Sequence, residues 1–382
     1  MLVPLANDPR DYAWGSTSLI AELEGREPSG APEAEVWFGD HPGDPSETPD
    51  GRTLDRWIAE DGAAVGVPAP LPYLLKLLAA SSALSIQAHP SKAQAEAGFA
   101  REDAAGIPRD AAERTYRDAN HKPELIVAVS DTFRALAGLR HPAATRRLLA
   151  TLGPAAQPLA DRLADEGASL PAVIGWLLSD GAEVARNVAA AAASSGSEEF
   201  ADEFELARTL DAAFPGDPGV VVALLMNLVT LRRGQGLFVP AGVLHAYLEG
   251  LGVELMAASD NVLRGGLTPK HVDAGELVSV LDGTPALPPI LEPRVVAEGV
   301  VEYDVPVEDF TLLAVRPGAA QVTVPLRGPA IALATRGEVV VGGAETGATH
   351  TLTPGRAALM TPDERDMRVS GDGEIFIALP GR

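Results

Sequence analysis

The chain has 382 residues and a formal charge of −23, with 46% hydrophobic and 22% charged residues, seven histidines and no cysteine. At about 150 residues per domain this length predicts two or three domains, each large enough for its own core. So acidic a surface excludes nucleic acid and anionic membrane as partners, because both require a basic face, and the lack of cysteine excludes disulfides, thiolate nucleophiles and cysteine-held zinc.

The opening MLVPLANDPRDYAWG breaks any apolar leader with Asp8, Arg10 and Asp11. No export signal is expected, and the chain reads as cytoplasmic. The first 75 residues are rich in Gly, Pro and Asp, with short apolar runs such as AEVWFGDHP, and predict loops and short strands. Residues 83–92, ALSIQAHPSK, read as a strand ended by Pro90. Alternation then places Ser85, Gln87 and His89 on one face and Leu84, Ile86 and Ala88 on the other. The bland alternative is a wet polar face.

Next comes NHKPELIVAV at 120–129, where Glu124 heads an apolar strand after Pro123. From Pro142 to Arg233, stretches such as AATRRLLATLG, AEVARNVAAAAAS and FELARTLDAAF carry apolar residues at helical spacing and predict a helical block. The longest apolar run, VVVALLMNLVTL from Val220, falls short of the about 20 residues a membrane span needs. A strand pattern resumes in GLFVPAGVLHAYLEG, residues 236–250. Its G-x3-P-x-G-x2-H spacing is the second-motif pattern of cupin barrels, in which a Pro/Gly turn sets a metal-binding histidine, here His245, at a strand start. The segment GVELMAASDNVLRGGLTPKHVD, 252–273, adds Glu254, Asp260, Arg264 and Lys270. From about Leu291 the pattern is β, in short strands bounded by Gly and Pro.

Gln87, His89, Glu124 and His245 can supply the nitrogen and oxygen donors of a zinc site with an open position. With neutral Gln and His, one glutamate leaves such a centre a formal charge of +1, suited to polarising a substrate oxygen. Each element alone has a structural explanation: a strand histidine usually serves as a hydrogen bonder, and a glutamate at a strand start usually faces solvent. The lysines argue further. Of 30 basic residues only Lys76, Lys92, Lys122 and Lys270 are lysine, and all four fall in or beside the motif segments. An ammonium is a compact point charge suited to phosphate or to proton transfer, unlike the guanidinium fork.

Taken together and in order, YAWGS, AEVWFGDHP, SIQAHPS, NHKPE, VPAGVLHAYLEG and VELMAASDNVLRGGLTPKHVD resemble the type I phosphomannose isomerases over essentially the whole chain. The resemblance implies a mainly β fold: a cupin-type catalytic domain at 1–139 and 235–290, an α-helical insert at 140–234, and a C-terminal jelly-roll-like β domain at 291–382. It also implies one zinc per chain on Gln87, His89, Glu124 and His245, with Arg264 as the catalytic arginine. The implied reaction interconverts mannose 6-phosphate and fructose 6-phosphate through a cis-enediol. It would supply GDP-mannose synthesis or feed mannose into glycolysis.

Lys122, Glu254 and a zinc-held hydroxide remain alternative bases. Ser85, Lys76 and Arg264 or Lys270 are the candidate phosphate ligands, and Tyr247 and Trp14 candidate wall residues. A monomer is expected. Two rivals stand beside this reading. His89, His245 and Glu124 also match the facial triad of non-haem iron oxygenases, and a sugar-phosphate-binding regulator would keep the pocket without turnover.

Overall fold

The structure, a computed structural model, describes residues 1–165 and 167–382. Its organising element is the 13-residue strand His245–Ala257. The first half of that strand pairs with Thr132–Leu139 and with Gln87, the second half with Tyr73–Ala80 and Glu124–Ala128. One strand therefore joins both walls of a barrel. Between its halves the register slips. Arg134 faces Glu249 while Ala135 faces Tyr247, so Leu248 is an extra residue and the strand carries a β-bulge. Gly250 follows at φ 123°, where a Cβ would come within 2.9 Å of the Phe133 backbone.

Strand Tyr73–Ala80, YLLKLLAA, is buried along its whole length. Alternation explains this. Leu75 and Leu77 join Val253, Leu255, Leu125 and Val127 in a core shared with Tyr303, Phe310, Leu312 and Phe376 of the C-terminal sheet. The intervening Lys76 and Leu78 face the barrel interior. Each leucine side chain so buried is worth about 1.5–3 kcal/mol. Tyr73 fastens the two sheets, its hydroxyl donating to the carbonyls of Pro329 and Ala378 at 2.8 and 3.1 Å. The C-terminal unit itself is built on two 14-residue antiparallel strands, Ala330–Gly343 and Asp366–Leu379. The mainly β architecture is as expected.

The helical block is present, as Pro142–Thr151, Gln157–Ala164, Leu170–Leu177, Ala182–Ser194, Ala201–Ala213 and Gly219–Leu224. Its core residues Leu148, Ile174, Val188, Phe204, Leu210 and Val221 are continuous with Ile86, Ala88, Leu263 and Leu277 behind the barrel. It ends sooner than the spacing predicts. Met226–Arg232 is a strand, paired with Thr132–Leu139. Gly219–Leu224 is buried all round, so the helical half of the run VVVALLMNLVTL has no polar face to mark where helix becomes strand.

Two short helices, Leu19–Glu24 and Leu54–Asp61, also stand where only loops and short strands were expected. The strand expected over 83–92 shrinks to Gln87–Ala88. Leu84 accordingly lines the same cavity as Ser85 and Gln87, because alternation holds only where the chain is extended. Among the described residues no helix is long and apolar enough to cross a membrane.

Candidate metal centre and its cavity

The barrel interior opens into a cavity of about 590 Å³. At its floor His89, Glu124 and His245 converge, all buried, with ligand atoms within 4.8 Å of one another. Three different elements deliver them. His89 follows strand Gln87–Ala88, Glu124 opens strand Glu124–Ala128 directly after Pro123, and His245 opens the long strand. The Pro240–Ala241–Gly242 turn locks two of these together. Gly242 adopts φ 79° and donates its N–H to the carbonyl of His89 at 2.8 Å. A side chain there would meet the Val280 carbonyl at 2.9 Å.

Both imidazoles are oriented by the backbone. Nδ1 of His89 donates to the Asn261 carbonyl at 2.8 Å, and Nδ1 of His245 to the Val243 carbonyl at 3.1 Å. That choice of tautomer leaves each Nε2 as a lone pair. The lone pairs point at the Glu124 carboxylate, with His89 Nε2 3.2 Å from Oε1 and His245 Nε2 3.1 Å from Oε2. Despite that approach, His89 Nε2 is buried without a hydrogen-bond partner. Burial lowers the pKa of His89 to about 4, so the ring is neutral at ordinary pH. The unpartnered His89 Nε2, beside the Glu124 carboxylate and the second imidazole, is a lone pair that a bound cation would satisfy. The donor set of two imidazoles and one carboxylate fits zinc.

Gln87 stands beside this trio, half-buried and directly across the strand pair from His245. Its amide nitrogen donates to Ser85 Oγ at 2.9 Å, leaving the carbonyl oxygen as its remaining group toward the cavity. Lys122 Nζ lies 3.0 Å from Glu124 Oε1. Burial alone would raise Glu124, but the Lys122 ammonium beside it holds it well below the usual carboxylate range.

A second charged layer adjoins the first. Lys76 is buried between Glu35, at 3.7 Å, and Glu254, at 3.5 Å, with its ammonium 4.6 Å from the centre of the Trp37 ring. Trp37 in turn donates Nε1–H to Glu35 at 2.8 Å. Burial opposes the charge of Lys76, yet the carboxylates hold its pKa above the ordinary lysine value, while burial raises Glu254. Glu254 faces the same cavity as His245, although nine positions separate them and plain alternation would turn it outward. The bulge at Leu248 supplies the missing step.

At the mouth stand Arg264, Thr268 and Lys270. Among the described residues neither Arg264 nor Lys270 has a carboxylate within ion-pair distance, nor has neighbouring Arg117. Burial and then Arg117 lower Arg264. Burial, Arg264 and Arg117 lower Lys270.

Ser85, Trp14 and Tyr247 complete the lining together with Lys76, Lys122 and Glu254. The Tyr247 hydroxyl is buried with no hydrogen-bond partner, in the neighbourhood of Glu254. Lys92 departs from the other lysines. It is exposed on the outer face, donating to Asn120 at 2.8 Å, and does not line the cavity.

Sequence reasoning passed over Glu35, Thr268, Tyr12 and Phe214, which also line it. Both Glu35 and Thr268 lie inside quoted segments, AEVWFGDHP and GGLTPKH, where proximity to Lys270 was an available signal for Thr268. Phe214, just past helix Ala201–Ala213, brings the helical insert to the cavity and carries no signal.

A family model, phosphomannose isomerase type I, catalytic domain, matches residues 2–142. The mannose-6-phosphate isomerase of Escherichia coli K12 is 36% identical over 393 residues, covering 97% of both chains. That of Homo sapiens is 32% identical, covering 92% of this chain and 90% of its own. Among solved structures, the mannose 6-phosphate isomerase of Salmonella typhimurium bound to substrate (f6p) and zinc superposes with a TM-score of 0.90. It is 34% identical and the match covers 100% of each chain.

Proposed function

This chain belongs to the type I phosphomannose isomerase family, and we propose that it is a zinc-dependent aldose–ketose isomerase interconverting mannose 6-phosphate and fructose 6-phosphate. The observation that carries the reading is the convergence of His89, Glu124 and His245 at the floor of a cavity whose mouth holds unanswered cations. Gln87 completes the ligand set in this proposal. Zinc, when bound, supplies a Lewis acid that polarises substrate oxygens.

The rest is the work of the chain's own groups. The isomerisation moves a proton between C1 and C2 through a cis-enediol, so the site must stabilise developing negative charge and relay one proton. Arg264, at the cavity wall and without a carboxylate partner among the described residues, answers that charge. Lys122 and Glu254 line the cavity as the proton-handling groups. Burial raises Glu254 above the usual carboxylate value, and its place on the cavity wall puts it in reach of a substrate proton. The phosphate ligands in this proposal are drawn from Ser85, Lys76 and Arg264 or Lys270. Among them Arg264 and Lys270 offer the uncompensated charge, and Lys76 brings its two carboxylates with it. Trp14 and Tyr247 give the sugar an aromatic wall.

A working monomer in the cytoplasm is part of the same proposal. The test is a coupled assay with mannose 6-phosphate as substrate and fructose 6-phosphate detected, before and after chelation and return of zinc. Turnover lost on chelation and restored by zinc is expected. A folded, zinc-loaded protein without turnover would instead support the sugar-phosphate-binding reading.

A further inference from the structure

We infer that Asn261 is a positioning residue of the metal centre, joining His89 to the loop that delivers Lys122 and Glu124. The inference rests on the metal assignment proposed above. Asn261 is completely buried. Its carboxamide is used in full. Nδ2 donates to the carbonyls of Asp118 and Asn120, both at 2.8 Å, and approaches Asp118 Oδ1 at 3.2 Å. Oδ1 accepts from the backbone N–H groups of Arg117 and Asp118 at 2.8 and 3.3 Å. An asparagine side chain offers two donors and two acceptor sites, and here none is idle.

The backbone of the same residue reaches the other way. Its carbonyl takes the Nδ1–H of His89 at 2.8 Å, the bond that turns Nε2 toward Glu124. Its N–H donates to Ser259 Oγ at 3.2 Å, and Ser259 donates to Asp118 Oδ1 at 2.9 Å. Thus one residue is tied to His89 through its main chain and to residues 117–120 through its side chain. Those residues run through His121, Lys122 and Pro123 straight into Glu124. The amide fixes the peptide whose carbonyl orients one ligand and, in the same act, fixes the approach to the other. Three residues further on, the chain presents Arg264.

Asn261→Asp tests this with almost no change of volume. The acceptor survives, but the donor side becomes an oxygen facing two carbonyls, so the loop is repelled while the buried space stays filled. Zinc affinity is measured by competition with a chromophoric chelator, alongside the visible spectrum of the cobalt-substituted protein. We expect the zinc dissociation constant to rise about 10- to 100-fold, the range for loss of a group supporting a ligand, and the cobalt bands to shift.

Thr361→Val is the comparator. It removes a hydroxyl of a buried residue just past strand Ala357–Met360, where it donates to the Met1 carbonyl, and should lower Tm with zinc affinity unchanged. A folded Asn261→Asp protein with native zinc affinity and native cobalt spectrum overturns the inference, leaving Asn261 a purely structural hub. Should that variant not fold, Ser259→Ala carries the test: weakened zinc binding supports the inference and native affinity overturns it. His89→Ala separates the two levels, since native zinc affinity there would overturn the ligand assignment and the inference with it.

Discussion

The floor and the mouth of the cavity are furnished with the same kinds of residue and differ in whether their charges are answered. At the floor every cation has a carboxylate beside it: Lys122 has Glu124, and Lys76 has Glu35 and Glu254. At the mouth Arg264 and Lys270 stand near each other and near Arg117 with no carboxylate among the described residues to pair them. A compensated group keeps its place whether or not ligand is present. An uncompensated cluster is under repulsion until an anion arrives, and that relief is available as binding energy. In a protein of charge −23, leaving these cations unpaired is a local exception that concentrates anion attraction at one opening.

The comparison can be broken from its deepest point outward. His245→Ala should remove stoichiometric zinc and with it essentially all turnover, read by metal analysis and the coupled assay. Native zinc affinity in that variant would refute the ligand assignment. Lys76→Met leaves Glu35 and Glu254 buried together without their cation. Breaking a buried ion pair in this way costs about 3–5 kcal/mol, so a chemical denaturation midpoint well below that of the unaltered protein is expected. An unchanged midpoint would mean the floor is not held together by its charges.

Arg264→Ala should lower kcat about 10²- to 10³-fold, the usual loss for one electrostatic group aimed at developing charge, while zinc content stays stoichiometric. A parallel loss of metal would move Arg264 from the mouth to the floor in function. Lys270→Ala removes one charge-assisted bond worth about 1.5–3 kcal/mol. KM for mannose 6-phosphate should rise correspondingly, about 10- to 100-fold, with a weaker dependence on salt.

The smallest effect is on pH. Lys270 is a base whose pKa is lowered, so it gives up its proton at a lower pH than a free lysine does. Substrate affinity should therefore decline on the alkaline side sooner than the usual lysine value would imply. That limb should vanish from the KM profile of Lys270→Ala, and its persistence would exclude Lys270 as the titrating group.

What the sequence disclosed follows the same division. The groups at the floor were legible because each sits at a punctuated strand start or end: Glu124 behind Pro123, His245 behind a Pro-x-Gly turn, His89 before Pro90. Proline and glycine fix the backbone locally, so type and place can be read together. Glu35 was not legible as Lys76's partner, because EVWF is buried throughout, and nothing in a four-residue run states which strand will lie beside it. Lys92 misled for the complementary reason. It stands close in sequence to His89 but heads helix Lys92–Ala104, which carries it to the outer face. The helix-to-strand change at Leu225 was hidden because its helical side, Gly219–Leu224, is buried all round, and periodicity informs only where one side meets water. The cavity wall supplied by Phe214 depends on how the insert docks, a tertiary fact with no local trace.

The bulge at Leu248 turns strand length into a chemical variable. His245 and Tyr247 on one side of it and Glu254 on the other share an interior only because one residue is surplus to the pairing. Deleting a single residue there would leave composition, hydrophobicity and strand propensity almost untouched. It would nevertheless exchange the inward and outward sets downstream, setting Val253 and Leu255 toward the substrate and Glu254 toward the leucines of the inter-sheet core. The segment thus behaves like a reading frame: substitutions are edits to a word, whereas a one-residue gain or loss rewrites every word after it.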